Sequence, residues 1–116
     1  MKKAKKNSDM VNTREKVIFV YVTAGDLAEG EKIATLLLTK RLIACANFFP
    51  MRSVYSWEGK IRSDSETVVI LKTMDKHYFS IVQEIERIHS YEVPCICKIE
   101  VSANKEFAEW VKGMVN

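Results

Sequence analysis

The sequence predicts an α+β fold of the ferredoxin-like kind: a four-stranded antiparallel sheet in the order βαββαβ, both long helices on one face, a long β-hairpin and an extra C-terminal helix. Three observations predict it. From Val17 the run VIFVYVT is continuously β-branched and aromatic, as in a central strand buried on both faces. Between Leu42 and Thr73 there is no helical periodicity, and the stretch divides at Glu58-Gly59, a turn-forming pair whose glycine tolerates positive φ. Two amphipathic helical segments flank that stretch, giving strand, helix, strand, strand, helix, strand.

Each element follows from its residues. After the first strand, AGD forms a loop in which Asp26 caps a helix, with Glu29 three residues on as in a capping box. The helix 28–41 carries Ile33, Ala34, Leu37 and Leu38 as its apolar stripe, with Lys40 and Arg41 favourably placed at its C-terminal end. In the first hairpin arm Pro50 cannot donate to a ladder and marks a bulge or an exposed edge. The second arm ends in TVVILKT, an apolar block suited to the sheet interior. Asp75 is expected to cap a second helix whose Tyr78, Val82, Ile85 and Ile88 recur at helical spacing. A strand over 93–101 places Cys95, Cys97, Ile99 and Val101 on one face, and Asn104 caps a final short helix bearing Phe107, Trp110, Val111 and Met114.

The chain of 116 residues holds one domain, expected at 16–116, behind a basic tail expected to be disordered at 1–15. The first sixteen residues carry six Lys/Arg against Asp9 and Glu15, so the net +3 of the chain belongs to them and the body is slightly acidic. That distribution argues against nucleic-acid binding, which calls for clustered Lys/Arg on a folded surface. No apolar run approaches the roughly 20 residues that cross a bilayer, and no hydrophobic leader is present, so no membrane association and a cytoplasmic setting are expected. Three cysteines, Cys45, Cys95 and Cys97, form no even disulfide set and are expected to be reduced thiols. No Ser-His-Asp order, glycine-rich phosphate loop or paired-cysteine zinc motif is found, so the chain is expected not to be an enzyme. One sheet face is left uncovered by the chain itself, and the projecting hairpin carries Phe48, Phe49, Tyr55 and Trp57; self-association is the expected remedy.

RLIACANFFP, SVYSWEGKIRSDSE, VILKT and IHSYEVPCI stand in the order and spacing of the CutA family of divalent cation tolerance proteins, which the chain resembles over roughly residues 17–114. The resemblance implies a PII-like homotrimer in which each hairpin reaches onto a neighbour, no enzymatic reaction, and a link to tolerance of copper and other divalent cations. Bacterial members carry that association, whereas animal members are linked to anchoring of acetylcholinesterase, and the fold alone warrants little about ligand. Where the family commonly reads HPYEVPEI, this chain has Ser90 for the proline and Cys95 for the glutamate.

Two constellations can carry function. His89, with Cys95 and more weakly Cys45, offers imidazole and thiolate to Cu or Zn, and Glu92 stands behind them; a thiol at 95 softens any site relative to the family's carboxylate. The bland reading makes His89 a helix-end cation and Cys45 and Cys97 small packed residues. Cys95 and Cys97 are expected to stand too far apart along a strand to chelate one ion. The second constellation is Tyr55, Trp57, Glu66, Lys72, Tyr91 and Glu92, a cleft between subunits in which aromatics form a platform, Lys72 pairs an anion and the glutamates pair cations. Its bland reading is a plain subunit interface. No cofactor is required, and a small anionic ligand or a protein segment in the cleft is the alternative to metal handling.

Overall fold

The computed structural model describes residues 14–116. Its elements are β1 (Arg14–Ala24), α1 (Leu27–Thr39), β2 (Cys45–Trp57), β3 (Lys60–Thr73), a 3-10 turn (Asp75–His77), α2 (Tyr78–Ile88), β4 (Ile96–Asn104) and α3 (Lys105–Met114). The strands form one antiparallel sheet in the order β2-β3-β1-β4, the predicted topology. β1 begins at Arg14, so the last two residues of the tail expected at 1–15 belong to the sheet, and residues 1–13 of it lie outside the described residues.

The core follows from strand alternation. Ile18, Val20, Val22, Val69 and Leu71 point to one face and pack with Ile33, Leu37, Ile81 and Ile85 of α1 and α2. Asp26 accepts the Glu29 N–H at 2.8 Å, so α1 starts where its cap dictates. Gly30 belongs to the buried stripe because a Cβ there would stand 3.0 Å from Val69 Cγ2; Leu38, expected in the stripe, is 42% exposed. α2 differs in its start. Asp75 does not cap it: the carboxylate takes Lys98 Nζ at 2.8 Å, and the chain enters α2 through the 3-10 turn without a side-chain cap. Ile81, absent from the predicted stripe, is fully buried beside Ile85.

The opposite face is only partly bare. Across it α3 seals one end, packing Ala108 and Val111 on Val17 and Ala44. The rest keeps large apolar side chains in the open, among them Phe49 at 47% and Ile99 at 45% exposed. β2 and β3 continue past β1 as a two-stranded ribbon, since β1 pairs only with 67–73 of β3. Glu58 and Gly59 close it with φ of 51° and 77°, the paired positive values of a type I′ turn. Pro50 sits opposite Thr67 in an unbroken register on the edge strand β2, the edge placement rather than the bulge.

Candidate functional site

A groove of about 880 Å³ opens where the ribbon leaves the sheet. Alternation sends Met51, Ser53, Tyr55 and Trp57 of β2 to the groove side, and their register partners Glu66, Asp64 and Arg62 follow on β3. Thr23 and Gly25 form the floor at the end of β1, and the loop between α2 and β4 supplies Tyr91, Glu92, Val93 and Cys95 as the second wall. Of the expected cleft, Tyr55, Trp57, Glu66, Tyr91 and Glu92 are thus brought together. Lys72 is not: its ammonium stands 5.4 Å from the Phe19 ring centroid and 5.6 Å from that of Phe107, under α3 at the other end of the sheet.

Hydrogen bonds fix the groove's polar groups. The Tyr91 hydroxyl donates to Glu66 Oε2 at 2.5 Å, and burial together with that bond and the glutamate's charge pushes the hydroxyl far above its ordinary range, so it stays a donor. Tyr55 donates to Asp64 in the same way. The lining is charge-biased: Asp64, Glu66 and Glu92 face one guanidinium, Arg62.

The second wall is pinned by a clasp at the N-terminus of α1. Glu29 accepts from the Gly25 N–H (2.8 Å), the Ser90 N–H (2.9 Å) and the Ser90 hydroxyl (3.0 Å). Burial opposes its charge, but these donors outweigh burial and hold the carboxyl below its ordinary range. A proline at 90 would lack the N–H that makes one of these bonds.

The expected ligands His89, Cys95 and Cys45 do not converge. His89 has a fully buried side chain; one ring nitrogen, Nε2, donates to the Thr23 carbonyl at 2.8 Å and the other, Nδ1, accepts the Tyr91 N–H at 3.0 Å. Both nitrogens are therefore spent on the backbone, and the residue is a structural pin, neither a ligand nor an exposed helix-end cation. Cys45 opens β2 beside Lys72, and burial raises its thiol against that ammonium's pull. Cys45 and Cys97 lie on one sheet face but on opposite edge strands, three strand spacings or about 14 Å apart across the sheet and two residues out of register besides. Among the described residues no three His, Cys, Asp or Glu side chains gather as a metal cage.

Cys97 corrects a further expectation. It is exposed rather than packed, and its Sγ lies 3.7 Å from that of Cys95. Cys95 precedes β4, outside the ladder, so its side chain is free to lean toward Cys97 where two strand positions would hold the sulfurs apart. Burial and the hydrogen bond to Cys97 raise the Cys95 thiol. Met51, Arg62, Asp64 and the Cys97 contact were missed by sequence reasoning. The first three follow from the register once Glu58-Gly59 is fixed as a two-residue turn; the fourth has no signal beyond the spacing C-x-C.

The profile described as CutA1 divalent ion tolerance protein matches residues 18–114. The chain belongs to the CutA family. It is 44% identical over 98 residues to the divalent-cation tolerance protein CutA of Archaeoglobus fulgidus, covering 84% of this chain and 96% of that one. The Pyrococcus horikoshii CutA is 41% identical over 96 residues, covering 82% and 94%. A solved structure described as the periplasmic divalent cation tolerance protein CutA from Archaeoglobus fulgidus superposes with a TM-score of 0.84 at 42% identity, covering 86% of this chain and 99% of that chain. CutA1 from Oryza sativa gives 0.83 at 31% identity over 87% and 94%. As a CutA protein the chain belongs to a non-enzymatic divalent-cation tolerance family, and no helix among the described residues is long and apolar enough to cross a membrane.

Proposed function

We propose that this CutA chain is a homotrimer that serves copper tolerance by holding the ion at the groove, in a reducing, cytoplasmic compartment suited to its three free cysteines. The observation that carries the reading is the groove's lining, in which three carboxylates and the Cys95 thiol outnumber a single guanidinium. Such a wall attracts cations and offers a soft donor. A small anion is the poorer occupant, because Lys72, its intended partner, lies elsewhere.

The trimer is supported by the ribbon. Tyr55 and Trp57 remain 39% and 37% exposed on it, Phe49 continues the apolar row, and the outer backbone of β2 has no ladder partner among the described residues. Copies of the same chain supply the cover that each lacks. Mass measurement at micromolar concentration is expected to return three times 13.3 kDa. Titration of the reduced protein with copper, followed by gel filtration, is expected to leave at least one ion per chain. A monomer, or a protein that elutes free of copper, overturns the corresponding half of the proposal.

A further inference from the structure

The geometry points to a second-order feature of this chain: Cys95 and Cys97 form a two-thiolate clamp for one thiophilic d10 ion, Cu(I) or Zn(II), at the rim of the groove. The inference rests on the copper reading above and deepens it, since it names the donors. With each metal–sulfur bond near 2.3 Å, sulfurs 3.7 Å apart subtend about 107° at the ion, close to the tetrahedral angle. The pair is therefore set at chelating distance before any ion arrives.

Its surroundings suit capture. Cys97 is exposed while Cys95 is half-buried against the groove wall, so an ion enters from the open side and settles against the protein. Two thiolates fill half of a tetrahedral shell, and Glu66 and the Met51 thioether line the same groove as Cys95. The loop that carries Cys95 is held at its start by the Glu29–Ser90 clasp and by His89, which limits the ordering that binding must impose. The binding step releases the thiol protons to solvent and changes no oxidation state.

The test uses the full chain, reduced and handled without oxygen, titrated with Cu(I) and separately with Zn(II) against a chromophoric chelator. Wild type is expected to hold one ion per chain, with a thiolate-to-metal charge-transfer band in the ultraviolet. Cys97→Ser and Cys95→Ser should each weaken binding at least tenfold and abolish the band, whereas Cys45→Ser should leave both unchanged. Heat-unfolding midpoints of the apo variants, expected within a few degrees of wild type, separate lost ligands from lost fold. Retention of only one of the two ions supports the clamp and names its ion. If the Cys95→Ser/Cys97→Ser double variant binds as tightly as wild type, the clamp is wrong while copper binding stands at another place. Should wild type bind neither ion, or pass into a Cys95–Cys97 disulfide without retaining metal, both readings fall.

Discussion

Glu29 shows how one side chain can serve two elements. Its position three residues after Asp26 announces a capping box, and the cap is there, but its carboxylate reaches the Gly25 N–H and then crosses to Ser90, 61 residues away. The local half was legible from spacing; the distant half depends on packing that no local pattern encodes. Because its folded pKa lies below the ordinary carboxyl value of about 4.3, its contribution is complete above that value and disappears as pH falls through the folded one. Glu29→Gln should therefore destabilise the protein by about 1–3 kcal/mol at pH 7 and flatten its stability-pH curve in the acid range, checked by urea unfolding from pH 7 to pH 3. His89 is the counter-example. A histidine near two cysteines reads as a ligand, yet its ring satisfies a carbonyl and an N–H inside the fold. His89→Ala is expected to cost roughly 2–3 kcal/mol by leaving those groups unpaired; because the ring is no ligand, the variant should still take one Zn(II) per chain in the same competition, with the affinity lowered only by the loosened loop.

At the scale of elements, boundaries set by a hard local rule were read correctly and those set by tertiary contact were not. The Asp26 cap and the Glu58-Gly59 turn belong to the first kind, because side-chain chemistry and permitted φ fix them. The start of α2 belongs to the second: Asp75 finds Lys98 on β4, a partner invisible in sequence. Tyr55, Trp57 and Glu66 were legible for the same reason, since strand alternation and one turn fix that groove wall, whereas Tyr91 and Glu92 come from the α2–β4 loop and were legible only through the family motif, and Lys72 lies six residues beyond the ribbon's last residue, Glu66, inside the sheet. Two substitutions probe these rules. Glu58→Asn replaces a bulky residue at positive φ by one that tolerates it and should raise the unfolding midpoint, with a gain of about 0.5 kcal/mol. Gly30→Ala improves helix propensity by about 1 kcal/mol but drives a methyl to 3.0 Å from fully buried Val69; the core cannot yield, and a net loss of about 1 kcal/mol is expected in denaturant titration.

For the whole molecule, the radius of gyration of 16.2 Å exceeds the roughly 13 Å of a compact chain of this size, and the longest extent is 57 Å against 26 and 22 Å. The excess is the ribbon. Replacing Tyr55 and Trp57 together by Ser should leave the sheet and helices intact by circular dichroism but dissociate the proposed trimer on a sizing column, because the apolar anchors are removed without touching the core. Beyond the end of β1 the ribbon's backbone has no ladder partner among the described residues on the outer sides of both β2 and β3. A freshly synthesised chain consequently leaves the ribosome with two open hydrogen-bonding rims that any neighbouring strand can take. Refolding yield of the proposed trimer should then peak at an intermediate chain concentration: dilution starves the rims of sister copies, and crowding lets wrong strands arrive first.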